Sequence, residues 1–153
     1  MRGMGNPSIN ASIHEYPPAI PLPSAAAQRA ERLAKGRVVI VSGAADYGDP
    51  DRVFAALGLA HARKPITLLV HGASFDRKTG ELLGVDRWAE EWALVVDVKM
   101  EPHPADWRTW GLAADAIRCR QMVNAGAHGV VALPGVDRSA AARCMVPVWR
   151  PFG

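Results

Sequence analysis

Short runs rich in apolar residues recur along the chain and predict the strands of a sheet. They cover residues 38–41, 66–70, 96–100, 130–133 and 146–149. Residues 38–41 are wholly apolar, which is typical of a parallel strand buried on both faces, and residues 66–70 predict a second buried strand. Residues 96–100 alternate apolar and polar side chains, which predicts a half-buried strand nearer an edge. The last run contains Pro147, which would confine that strand to an edge of the sheet.

Segments with helical spacing separate these runs. Ser24 and Gly36 are suited to begin and end a helix of strong helix formers, and Asp49-Pro50 is suited to begin the next. Two tryptophans, Trp88 and Trp92, share an apolar stripe and are expected in the core. Further helices are expected over residues 112–125 and 139–144, and residues 103–107 are expected to form a loop. The alternation of strand and helix predicts an α/β fold with a mainly parallel sheet of four or five strands.

Residues 1–23 differ from the rest, because five prolines fall between Pro7 and Pro23. Such a segment favours extended conformations and builds no core of its own. We therefore divide the chain into an N-terminal arm, residues 1–23, and one domain, residues 24–153. The arm is expected to be disordered or to lie over a neighbouring copy in a homo-oligomer.

Composition narrows the class of protein. The chain has 153 residues and a net charge of +3, which suits an anionic ligand but is too weak to predict nucleic-acid binding. No run of eighteen apolar residues and no secretory signal is present, so we expect a cytoplasmic protein without a membrane span. Cys119 and Cys144 lie in no metal-binding pattern, so no metal or cofactor is predicted. The two cysteines could form one disulfide, although reduced thiols are favoured.

Small residues follow three of the predicted strands. They are Gly43-Ala44-Ala45, Gly72-Ala73-Ser74 and Pro134-Gly135. Ligands of open parallel sheets bind beyond the carboxyl ends of the strands, where small residues and helix N-termini together suit a phosphate. Turns between strands and helices also need small residues for purely structural reasons. The GxGxxG and GxxxxGK[ST] phosphate-binding patterns are absent, which disfavours a dinucleotide dehydrogenase or a P-loop enzyme.

Several segments in order resemble a known family. They read SGAADYGDPDRVFAAL, HGAS, TGELLGVDRWAEEWA, PADW, IRCRQM and LPGVDRSAA. Over residues 37–151 the chain resembles the YspA-type branch of the SLOG superfamily, to which the Lonely Guy phosphoribohydrolases and the DprA/Smf proteins are related. The resemblance implies a Rossmann-like three-layer sandwich that binds a nucleotide or a nucleotide derivative such as an ADP-ribose-like compound. Some relatives cleave the N-glycosidic bond between a base and ribose 5′-phosphate.

The chain departs from this pattern at functional positions. Ala45 stands where relatives often have Arg, and Val136 and Ala142 replace a Gly and the catalytic Glu of the hydrolases. The loss of that carboxylate predicts weak or no catalysis. Arg118 matches the Arg of the enzymes' R-x-x-x-M helix and is the leading candidate for holding a phosphate.

The candidate ligand-binding residues lie at the strand ends, in the loops that follow them and on two helices. They are Gly43, Asp46, Tyr47, Gly72, Ala73, Ser74, Gly84, Asp86, Arg118, Pro134, Gly135, Arg138 and Ser139. Asp86 could bind a ribose hydroxyl or only stabilise a first helical turn, and Ser139 could be only an N-cap. His71 could exchange protons or be structural. Trp107 and Trp110 could stack on a base or pack against the sheet edge.

Three functions remain open at this point. The first is a nucleotide sensor or sequestering protein, with its ligand between the loops after the first and fourth strands and the second-strand loop as one wall. The second is an N-glycosidic or phosphoester hydrolase that uses Asp46 or Asp86 as the acid. The third is a structural or assembly subunit with an eroded ligand site.

Overall fold

The protein folds around a five-stranded, all-parallel sheet in the order β3-β2-β1-β4-β5. A computed structural model describes residues 22–135 and 146–152. The strands are β1 (Val38–Ser42), β2 (Leu68–His71), β3 (Lys99–Pro102), β4 (Gly129–Ala132) and β5 (Val148–Trp149). The predicted α/β fold is thereby confirmed.

Five helices connect and cover the strands in the described ranges. They are α1 (Ala25–Lys35), α2 (Pro50–Arg63), α3 (Gly84–Val96), the single turn α4 (Trp107–Trp110) and α5 (Ala114–Ala125). Among residues 22–135 and 146–152, no helix has both the length and the apolar character needed to cross a membrane. The predicted helix at 139–144 lies outside the described residues.

The central strand shows how the sequence pattern builds three layers. Val39 and Val41 pack into the cluster that contains α2 and α3, while Val38 and Ile40 pack into the cluster that contains Met122 of α5. Successive side chains of a strand point to opposite faces of the sheet, so a continuous apolar run contributes side chains to both clusters. The expected core positions Trp88 and Trp92 pack in the first cluster.

Several element boundaries differ from the sequence expectation by one to three residues, and two of these differences have a clear local cause. Helix α3 continues to Val96 and ends at Asp97, which adopts the left-handed conformation at φ 60° while the amide of Val98 donates to Ala93 O. The third strand therefore begins at Lys99 and not at Val96. Trp107 begins α4 and is not in a loop, because Asp106 accepts the amide hydrogen of Thr109 as an N-cap. A 3₁₀ turn, Gly111–Ala113, then leads to α5.

Helix α1 is attached mainly by polar contacts, since none of its residues is buried. The Arg32 guanidinium forms two hydrogen bonds of 2.7 and 2.8 Å with the Glu101 carboxylate on β3, and its Nε donates to Gly126 O. His103 contacts the same carboxylate at 2.7 Å. One ion-pair network therefore joins the first helix to an edge of the sheet.

Candidate functional site

A cavity of about 420 Å³ lies beyond the carboxyl ends of β1 and β2. Its walls are the loops after β1, β2 and β3 and the first half of α5. It is lined by Gly43, Ala44, Ala45, Ala73, Ser74, Phe75, Arg77, Leu83, Ala105, Trp107, Asp115 and Arg118. The predicted residues Gly43, Ala73, Ser74 and Arg118 are thus brought together. Small side chains at both strand ends leave the backbone accessible from the cavity.

The loop after β1 is pressed against the start of α3. A β-carbon on Gly43 would collide with the Val85 side chain, and one on Gly84 would collide with the backbone of Ala44 and Ala45. Gly84 also has a φ of 54°, which side-chain-bearing residues rarely adopt. The predicted residue Gly84 therefore permits close packing beneath the cavity and does not itself line it.

The loop after β2 is held by two side chains beneath the cavity. Ala73 adopts a left-handed φ of 49°, and its amide donates to Nδ1 of His71 at 3.1 Å. The next amide, that of Ser74, donates to Oδ2 of Asp86 at 2.8 Å. Asp86 is buried in the first turn of α3, so its carboxylate fixes the loop and does not line the cavity.

His71 is wholly buried and has a defined tautomer. Because Nδ1 accepts a hydrogen bond, the proton of the neutral ring lies on Nε2, which is 3.3 Å from Oε2 of Glu90. Burial lowers the pKa of His71 below 6.5, although the carboxylates of Asp86 and Glu90 oppose this shift. The ring does not line the cavity, and the arrangement supports a structural role over proton exchange.

Arg118 reaches the cavity from α5 and already has partners. Its Nη1 donates to Gly72 O at 2.8 Å, and its Nη2 pairs with the carboxylate of Asp115. Its Nε is buried and has no hydrogen-bond partner in the described part of the chain. The guanidinium is thus fixed at the wall of the cavity with part of its charge matched by Asp115.

The other predicted residues lie around the cavity and do not line it. Asp46 is exposed, and Tyr47 packs against the core below the β1 loop. Pro134 is half-buried, and a β-carbon on Gly135 would lie 3.4 Å from that of Ala44, so the ends of β1 and β4 are in contact. Arg138 and Ser139 lie outside the described residues.

Two of the three expected walls, the loops after β1 and β2, line the cavity. Most of the loop after β4, which was expected to form the third, lies outside the described residues. Phe75, Arg77 and Asp115 line the cavity as well, although they were not among the residues predicted from the sequence. The position of Asp115 three residues before Arg118 on a predicted helix was an available signal, since such side chains are neighbours.

Comparison with known proteins identifies the family of the central segment. Residues 37–110 match a family model described as YAcAr, the YspA, cpYpsA-related SLOG family. These residues, which span β1 to α4 and supply most of the cavity wall, therefore belong to the YspA-type SLOG branch. No curated protein and no solved structure matches the chain.

Proposed function

We propose that the protein binds a phosphorylated, nucleotide-derived small molecule in the cavity beyond β1 and β2 and acts as a sensor or sequestering protein. One observation carries the proposal: the small residues that follow β1 and β2 line the same cavity as the guanidinium of Arg118. A volume of about 420 Å³ falls within the range of about 300–1,000 Å³ typical of small-molecule sites. Membership of the SLOG family is compatible with such a ligand.

The charges around the cavity favour an anion. Arg77 and Arg118 supply two positive charges, and Asp115 supplies one negative charge. Arginine binds phosphate through paired hydrogen bonds, and a ligand phosphate could take over the nitrogen that now contacts Asp115.

The carboxylates around the cavity support binding without catalysis. Asp115 is the acidic residue that lines the cavity within the described ranges, and it is paired with Arg118. Asp86 accepts the amide hydrogen of Ser74, and Asp46 lies outside the lining. Neither acid of the hydrolase alternative thus contacts the space where a ligand would lie. We expect no release of free base from adenosine 5′-monophosphate.

Titration calorimetry tests the proposal directly. Adenosine 5′-monophosphate, ribose 5-phosphate and ADP-ribose are titrated into the wild type, Arg118→Ala and Arg120→Ala. Arg120 is exposed on the same helix and does not line the cavity, so it is the matched control. Loss of charge-assisted hydrogen bonds is expected to weaken binding about 10- to 100-fold in Arg118→Ala alone. Absence of binding to all three compounds, or equal effects of the two substitutions, would contradict the proposal.

The homo-oligomer and the cytoplasmic location stay predictions. Sizing chromatography of the chain with residues 1–23 deleted tests whether the arm contributes to assembly. A change of oligomeric state would favour the assembly-subunit alternative, and an unchanged state would count against it.

A further inference from the structure

An aromatic groove continues outward from the cavity. It has a volume of about 480 Å³ and shares Phe75, Arg77, Ala105 and Trp107 with the cavity wall. The side chains of Phe75 and Trp107 are unusually accessible for large apolar groups, at 43% and 39% exposed. The cavity and the groove are therefore two adjoining parts of one cleft.

The groove presents flat surfaces of the kind that stack on a planar ring. The guanidinium carbon of Arg77 lies 5.7 Å from the centroid of the Trp107 ring, and the ring stays partly exposed beside it. Aromatic rings and arginine planes stack on nucleobases with little dependence on the base.

The local backbone holds both aromatic residues in place. Trp107 begins α4, and its carbonyl accepts the amide hydrogen of Gly111. Phe75 forms an antiparallel bridge with Leu82, next to the hydrogen bond from the amide of Leu83 to Ser74 O at 2.8 Å. These contacts fix the groove relative to the end of β2, where the small-residue cavity begins.

We propose that Phe75, Arg77 and Trp107 form a stacking subsite for the planar ring of the ligand. The anionic group of the same ligand would lie against the ends of β1 and β2, near Arg118. This inference rests on the proposed function and narrows it, because the ligand must carry an aromatic ring as well as a phosphate. The subsite selects a nucleoside phosphate over a sugar phosphate.

Binding measurements with two probes test the subsite. Adenosine 5′-monophosphate carries the ring, and ribose 5-phosphate lacks it. The wild type is expected to bind the nucleotide about 10- to 100-fold more tightly, as stacking on one aromatic residue contributes about 1–3 kcal/mol. Trp107→Ala is expected to remove this preference without changing the affinity for ribose 5-phosphate. Trp110→Ala is the matched control, since Trp110 is exposed on the same helix and lines neither the cavity nor the groove.

A conservative variant separates stacking from a change in folding. Trp107→Phe retains an aromatic face and should keep most of the preference for the nucleotide. Arg77→Ala should reduce the preference, whereas Lys78→Ala, at an exposed neighbour outside the groove, should not.

The outcomes distinguish the inference from the function on which it rests. Equal affinity of the wild type for both probes, or an equal loss for both in Trp107→Ala, overturns the stacking subsite and leaves the proposed function intact. If the wild type binds neither probe, the stacking subsite is overturned, and the proposed function is overturned with it when ADP-ribose also fails to bind.

Discussion

The guanidinium of Arg118 occupies the space that a β-carbon on Gly72 would need. Such an atom would lie 2.6 Å from Nη1 and 2.8 Å from Cζ of Arg118. The same Nη1 donates a hydrogen bond to the carbonyl of Gly72. Gly72 therefore leaves room for the guanidinium and also accepts a hydrogen bond from it. The position of the cationic group at the cavity therefore depends on the absence of a side chain at residue 72.

The substitution Gly72→Ala is expected to displace the Arg118 guanidinium. Because the clash falls on the end of a long side chain, we expect a small loss of stability, about 1 kcal/mol, and a loss of phosphate affinity close to that of Arg118→Ala. Calorimetry with ribose 5-phosphate and urea unfolding measure the two effects. Gly48→Ala is the control, since a β-carbon there meets nothing within 4 Å. Unchanged affinity in Gly72→Ala would show that phosphate binding does not depend on this position of the Arg118 guanidinium.

The substitution Asp115→Asn is expected to strengthen anion binding. The Asp115 carboxylate competes for the Arg118 guanidinium, but its side chain is 55% exposed, so the competition is screened by solvent. We expect the affinity for ribose 5-phosphate to rise about two- to fivefold at low ionic strength and the gain to shrink as salt is added. Glu91→Gln removes an exposed acid away from the cavity and should have no such effect. Weaker binding in Asp115→Asn would mean that this carboxylate positions the arginine for its ligand.

Protonation of His71 is expected to destabilise the fold in mild acid. Burial lowers the pKa of His71 in the folded protein below its unfolded value of about 6.5, so the unfolded chain binds the proton more readily. The stability that the neutral ring contributes is present above pH 6.5 and is lost as the pH falls below it. We expect the free energy of unfolding to fall by up to about 1 kcal/mol per pH unit in this range.

Urea unfolding of the wild type and His71→Gln between pH 7.5 and 5.5 measures this contribution. The difference between the two proteins isolates residue 71 from the other histidines. We expect the difference to narrow as the pH falls. Parallel pH profiles would show that His71 does not titrate differently in the folded state.

The Arg32–Glu101 pair is expected to stabilise the fold above pH 4.5. The hydrogen bonds from Arg32, together with that from His103, lower the pKa of Glu101 from 4.5 to about 2. A depressed carboxyl pKa contributes stability that is present above the unfolded value and is lost as the pH falls from 4.5 towards 2. Because Glu101 is partly exposed, we expect a contribution of about 1–2 kcal/mol.

Thermal unfolding of Glu101→Gln at pH 7 and pH 3 measures that contribution. The variant should be less stable than the wild type at pH 7, and the difference should be smaller at pH 3. Glu31→Gln, which breaks an exposed pair with Lys35 on α1, should change stability by less than about 0.5 kcal/mol. Equal effects of the two substitutions would contradict a special role for the Arg32–Glu101 pair.

Much of the architecture could be predicted because burial on both faces leaves a plain pattern in the sequence. A run such as Val38–Val41 has few alternatives to a central parallel strand, since both layers of helices need apolar partners. Once these strands were identified, the small residues after β1 and β2 could be placed at the same edge of the sheet, because parallel strands have their carboxyl ends at one edge. The chain itself thus specified the edge of the sheet where the cavity lies.

The arrangement within the cavity could not be predicted, since it depends on contacts between distant segments. Whether Asp115 faces the cavity depends on how α5 is rotated against the sheet, which residue spacing along one helix does not determine. The contact between Arg77 and Trp107 depends on the conformations of two loops. Asp97 ends α3 in a left-handed conformation more often taken by glycine, so the start of β3 was placed too early.

The position of β1 in the sheet has a consequence for how the chain folds during synthesis. Of the strands in residues 22–135 and 146–152, β1 is made first, yet one of its two neighbours is β4, and the hydrogen bond from the amide of Val38 to His128 joins residues 90 positions apart. While the ribosome is still adding those residues, β1 can pair only with β2. One long edge of the nascent sheet therefore stays open, and this intermediate is the stage at which the protein would need protection from aggregation.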